Sequence, residues 1–127
     1  MVKLLLVDDS YLIRNRLVGL LSPLLGVSFV ATASRLSEAL GLVARYQPDI
    51  LVTELILADG SMTDVLAEIK QLSPCTRTAV FSNHLSQAAR RQCAQAGADW
   101  YFDKSTEFEA LVHTIQQAIA TTLGEGS

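Results

Sequence analysis

Five polar side chains each follow a short apolar run. Asp8 and Asp9 come after Leu4–Val7, Glu54 after Ile50–Thr53, Ser82 after Ala79–Phe81, and Lys104, behind Asp103, after Trp100–Phe102. Three carboxylates against one ammonium give this set a formal charge of −2. Such an excess, gathered in one place, favours a divalent cation or proton uptake. Oxygen donors select hard ions, and few protein carboxylates with open water positions suit Mg²⁺. A cation, a lysine and a hydroxyl grouped together could hold the oxygens of a phosphoryl group. Taken singly, each residue has an ordinary structural reading. Asp8-Asp9 ahead of Ser10 could be an acidic start to a helix and nothing more. The joint occurrence, one group at the end of each separate run, is what points to chemistry.

The elements that must position these groups are legible in the periodicity. The four runs, with a fifth over Val27–Ala33, are short and nearly continuous in apolar residues. That pattern suits strands buried on both faces of a parallel sheet. Between them lie amphipathic helical segments. The first carries Leu12, Ile13, Leu17, Leu20, Leu21 and Leu24, with Ser10 as N-cap and Pro23 near its stop. The second carries Leu36, Ala39, Leu40 and Val43 ahead of Gln47-Pro48. The third is predicted from about Met62 to Leu72 with Ser61 as N-cap, and the fourth over Gln87–Ala96, closed by Gly97. The last carries Phe108, Leu111, Val112, Ile115 and Ile119, and Thr106–Glu109 has the spacing of a capping box. Strands alternating with helices predict a three-layer α/β/α sandwich on a five-stranded parallel sheet. Right-handed crossovers favour the flavodoxin-like strand order 2-1-3-4-5, in which the strand ends share one edge and a crevice opens between the first and third strands.

Composition narrows the function classes. A chain of 127 residues, half of them hydrophobic, suits one domain with a substantial core. The domain is predicted over residues 1–121, with 122–127 as a disordered tail or the start of a linker. A net charge of −3 supplies no broad basic surface, which argues against direct nucleic-acid binding by this domain. The uncharged stretch Leu17–Ser34 contains Gly19, Ser22, Pro23, Gly26 and Ser28 and reads as a helix end, a turn and a strand, not as a membrane span. No signal peptide is visible at the start. Cys75 and Cys93 lack metal-site spacing and fit reduced thiols in a cytoplasmic protein.

The motifs Leu5-Leu6-Val7-Asp8-Asp9-Ser10, Pro48–Glu54, Asp59-Gly60, Val80-Phe81-Ser82 and Gly97–Ser105 together resemble the receiver domain of two-component response regulators, over about residues 2–120. The resemblance implies a signalling module that is not itself an enzyme. It also implies a role for each matching position. Asp9 would ligate Mg²⁺ directly, Asp8 would act mostly through water, and the backbone carbonyl of Ile56 would complete the protein's share. Ser82 would sense a phosphoryl oxygen and Lys104 would pair with it. Tyr101 would be the switch aromatic of a face formed by the fourth helix, fifth strand and fifth helix. Implied partners are a histidine kinase, a phosphotransfer protein, an output domain or a second copy docked on that face, around Arg90, Arg91 and Tyr101.

One departure is decisive: Glu54 stands where these domains carry their phosphate-accepting aspartate. The extra methylene adds about 1.5 Å of carbon–carbon length. In-line placement dominates phosphoryl transfer, so ordinary phosphorylation at Glu54 is not expected, and metal binding through Glu54, Asp8 and Asp9 is expected to be weakened or absent. Glu54 would either imitate a phosphorylated aspartate or form an inert ion pair. Ala58, Ser105 and the bulky Asn83 are smaller departures in the same direction. His84 and His113 have no assigned role. The rival reading is a Mg²⁺-dependent phosphoryl-transfer enzyme with an acidic nucleophile. The order Asp8-Asp9-Ser10, without a second aspartate two residues on, and the absence of a capping insertion weigh against it. Phosphate-binding glycine motifs are missing as well.

Overall fold

The computed structural model describes residues 1–125. Five strands form one parallel sheet: β1 (Val2–Val7), β2 (Val27–Ala33), β3 (Ile50–Thr53), β4 (Arg77–Ser82) and β5 (Trp100–Asp103), in the spatial order 2-1-3-4-5. Five helices connect and close it: α1 (Tyr11–Leu21), α2 (Leu36–Tyr46), α3 (Leu66–Leu72), α4 (Gln87–Ala96) and α5 (Phe108–Glu125). The fold is thus the three-layer, flavodoxin-like sandwich expected from the pattern. The predicted tail at 122–127 begins within the span of α5, and residues 126–127 lie outside the described residues.

Alternation along each strand splits the core into two layers. Leu4, Leu6, Ile50, Val52, Ala79 and Phe81 face Leu17 and Leu21 of α1 and Leu111, Ile115 and Ile119 of α5. Leu5, Val7 and Leu51 face the other way, onto Ala39 and Val43 of α2 and Leu66 and Ile69 of α3. The strands are apolar at nearly every position because helices cover both faces. Only Cys93 of α4 is fully buried, against Leu55 and Val80. At the N-terminal edge of the sheet, Arg77 and Trp100 open adjacent strands, and the Arg77 guanidinium lies 5.2 Å from the centre of the indole ring.

Two predicted helix starts and one helix end turn out differently. Ser61 does not cap the third helix. It pairs with Ile56 in a two-residue antiparallel ribbon, Ile56–Leu57 against Gly60–Ser61, and its hydroxyl lies 2.9 Å from that of Thr63. A single 3₁₀ turn, Met62–Asp64, intervenes before α3 starts at Leu66. Residues 106–109 do not form the predicted capping box, because the chain closes three residues earlier. Glu107 Oε1 accepts the Asp103 N–H at 3.0 Å, while Asp103 Oδ1 accepts the Ser105 N–H at 2.8 Å. The first helix ends at Leu21, so Leu24 packs on the core from the following turn.

α2 takes its N-terminal cap from a distant residue. Arg35, at the cap position, offers no side-chain acceptor. Asp59, in the loop after β3, accepts the N–H groups of Leu36 and Ser37 at 2.8 and 3.1 Å. Gly60 makes this approach feasible: its φ of 142° is open to glycine, and a Cβ there would meet Leu36 Cδ1 at 3.1 Å. The loop that carries Ile56 is thereby fastened to α2.

Candidate functional site at the C-terminal edge of the sheet

The strand ends are locked together before any side chain is considered. The Asp8 N–H donates to Ala33 O at 3.0 Å, Glu54 N–H to Val7 O at 2.8 Å, and Lys104 N–H to Ser82 O at 3.2 Å. These bonds place Asp8, Glu54, Ser82 and Lys104 at one edge, at the ends of β1, β3, β4 and β5.

Lys104 is the hub. Its ammonium lies 2.6 Å from Asp8 Oδ2 and 2.8 Å from Glu54 Oε1. The remaining oxygens of both acids are engaged as well. Asp8 Oδ1 accepts the Ser10 N–H at 2.8 Å, and Glu54 Oε2 accepts the N–H groups of Leu55 and, at 3.4 Å, Ile56. Arg14 reaches back from α1 to donate to the Asp8 carbonyl at 2.6 Å. Asp8 and Glu54 are buried at 2% and 6% exposure, so neither charge is solvated by bulk water. Burial pushes the Asp8 carboxyl above its ordinary value, and its hydrogen bonds to Lys104 and Ser10 only partly offset this. Burial also works against the Lys104 ammonium. Its hydrogen bonds to Asp8 and Glu54 outweigh that penalty and raise it above the ordinary lysine value.

The other sequence-predicted residues stand around this trio. Asp9 is exposed at the rim and is outside the ion network among the described residues. Ser82 is fully buried at the edge, but its Oγ accepts the N–H of His84 at 3.0 Å and makes no hydrogen bond to Glu54 or Lys104. Ile56 contributes its N–H to Glu54, and its side chain is 47% exposed. Tyr101 is half-buried against Leu55, Val80 and Cys93, and Arg90 lies 5.0 Å from its ring centre. Arg90 also approaches Glu107 at 3.8 Å. His84 is exposed, and no described peptide bond is cis, the Lys104–Ser105 bond included.

Sequence reasoning missed two supports of the site. Asp103 accepts from Ser105 and Thr106 and so shapes the turn that carries Lys104; the Ser105 hydroxyl and N–H hold its carboxyl below the ordinary range. The Asp-x-Ser-Thr spacing is a legible signal for such a turn. Asp59, noted only as part of an Asp-Gly motif, is the second.

The buried acids are answered by an ammonium and by backbone donors. Among the described residues no three carboxylate, imidazole or thiolate groups converge as ligands. All four oxygens of the buried acids face an ammonium or a backbone N–H, and Asp9 stands apart from them.

A doubly wound sheet with acids and a lysine at its C-terminal edge defines a CheY-like α/β domain, the type seen in a receiver-domain protein from Methanospirillum hungatei (TM-score 0.86, 22% identity, covering 98% of each chain). The chain belongs to the response regulator receiver domain family, whose profile matches residues 4–116. It is 28% identical over 116 residues to the DNA-binding transcriptional activator DevR/DosR of Mycobacterium tuberculosis, covering 91% of this chain and 54% of that one. The nitrate/nitrite response regulator NarL of Escherichia coli K12 is 28% identical over 119 residues, with 92% and 54% covered. The chain therefore spans about half the length of these curated relatives. A LuxR-family two-component response regulator from an Aurantimonas species superposes with a TM-score of 0.85 at 29% identity, over 95% of this chain and 86% of that one.

Proposed function

We propose that this chain is an atypical receiver that works in two-component signalling by docking to other proteins, with Glu54 holding a standing ion pair in place of an accepted phosphate. One observation carries the reading: Glu54 is buried and both its oxygens are spent, Oε1 on Lys104 at 2.8 Å and Oε2 on the loop N–H groups. An acceptor carboxylate needs a free oxygen in line with the donor. An ångström of misplacement costs about 10²-fold in rate. Here the nucleophile is both longer than aspartate and engaged.

The position of Ser82 favours an inert pair over an imitation of the phosphorylated state. A phosphoryl group carries three acceptor oxygens, enough to engage lysine, loop N–H and hydroxyl together. Glu54 has two, and the Ser82 hydroxyl serves His84 instead. Partners on this reading are a histidine kinase, a phosphotransfer protein, an output domain or a second receiver, with the α4–β5–α5 surface around Arg90, Arg91 and Tyr101 as the contact face. DevR/DosR, described as DNA-binding, is about twice as long as this chain. With its net charge of −3 the domain would reach DNA through an output partner and not through its own surface.

The test is treatment of the wild type and Glu54→Asp with acetyl phosphate and Mg²⁺, followed by intact-protein mass. The wild type is expected to gain no adduct and the variant to gain one phosphoryl group. A phosphoryl adduct on wild-type Glu54 would overturn the reading.

A further inference from the structure

We propose that Lys104 is the resident cation of this site, so that the acidic edge is neutralised from within and the domain neither needs nor takes up a divalent metal. This rests on the standing Glu54–Lys104 pair of the proposed function and extends it to what holds both buried acids.

Two buried carboxylates side by side cannot both stay charged without a counter-charge. A divalent ion is one solution and an ammonium between them is another. At 2.6 and 2.8 Å from the two acids, Lys104 already supplies two charge-assisted hydrogen bonds, the one to Asp8 short and the one to Glu54 of usual length. The rest of the local structure supports that placement. Asp103, Ser105 and Glu107 fix the turn on which Lys104 sits. Ser10 N–H and the Leu55 and Ile56 N–H groups take the oxygens that Lys104 does not reach. A metal ion would have to displace the ammonium and strip backbone donors from at least one acid. It would gain only the exposed Asp9 as a further carboxylate. The extra methylene of Glu54 matters here, since it lets the carboxylate meet Lys104 while the other oxygen folds back on its own loop.

The measurement is Mn²⁺ binding, read from loss of the electron paramagnetic resonance signal of the free ion. Wild-type protein is expected to leave that signal unchanged, and its melting temperature is expected to be the same in EDTA and in excess Mg²⁺. Lys104→Met, which removes the charge and keeps the stem, should deplete the free Mn²⁺ signal. Glu54→Asp, whose shorter acid withdraws from the ammonium, should do so too, which keeps the test intact if Lys104→Met does not fold. Mn²⁺ bound by the wild type, or a melting temperature raised by Mg²⁺, would overturn the proposal. Folded variants that bind no Mn²⁺ would also overturn it, because Lys104 would then not be what occupies the cation's place. A failed phosphorylation reading has a different signature, an adduct on wild-type Glu54, so the two ideas fail separately.

Discussion

Glu54, Asp8 and Lys104 form an unequal partnership. Two acids share one base, and the base is the only one of the three that cannot be removed without leaving two buried negative charges. Lys104→Met should therefore destabilise the fold by about 3 kcal/mol, the low end for breaking a buried pair, because a tenth of the Lys104 side chain keeps contact with solvent. The pH dependence has a definite sign. The folded-state pKa of Lys104 lies above the unfolded value of 10.5, so its stabilisation is complete below that value and is lost as pH rises through the folded one. Melting temperatures of the wild type and Lys104→Met should differ at neutral pH and converge at strongly alkaline pH. A gap that stays constant would show that the charge of Lys104 is not what the fold depends on. Sequence alone brought Lys104 to the same edge as the acids. It could not show that Asp8 competes with Glu54 for the ammonium, because that depends on side-chain reach across two strands.

Among the elements, the loop after β3 has most at stake. Asp59 caps α2 from 22 and 23 residues away in sequence, so one side chain both starts a helix and fixes the loop carrying Ile56. Asp59→Ala should lower the melting temperature, as the loss of a helix cap does. It should also speed hydrogen exchange at the N–H groups of Leu36 and Ser37 and at Ile56. Bonds from Leu36 and Ser37 hold the Asp59 carboxyl below its ordinary value. The cap's contribution is thus present above the unfolded carboxylate value and lost as pH falls through the folded one. Equal exchange at those amides in both proteins would show that the cap is dispensable. The missed helix starts share this origin. Ser61 and Thr106 have the right types and spacing for local caps, yet a ribbon claims Ser61, and the Asp103–Glu107 closure fixes the chain ahead of Thr106. Local spacing proposes a cap, but which partner takes it is settled by the three-dimensional course of the chain.

For the molecule as a whole, the sandwich was readable because burial on both faces leaves the strands so uniformly apolar, and the strand order follows from few allowed crossovers. Ile115 illustrates what that core is worth: it is fully buried where α5 meets the sheet. Ile115→Ala should cost about 3 kcal/mol, seen as a lower urea midpoint at unchanged slope, whereas Gln117→Ala on the exposed side should change stability by less than about 0.5 kcal/mol. A lower slope for Ile115→Ala would mean that the compactness of a state had changed as well. The chain also contains a single tryptophan, and its position sets what light can report. Trp100 opens β5 beneath Arg77, at the opposite end of the strand from Asp103 and Lys104. Its emission should follow the melting of the sheet and stay silent when the ion cluster is rearranged, so an optical probe of docking or charge at the other edge has to be introduced there.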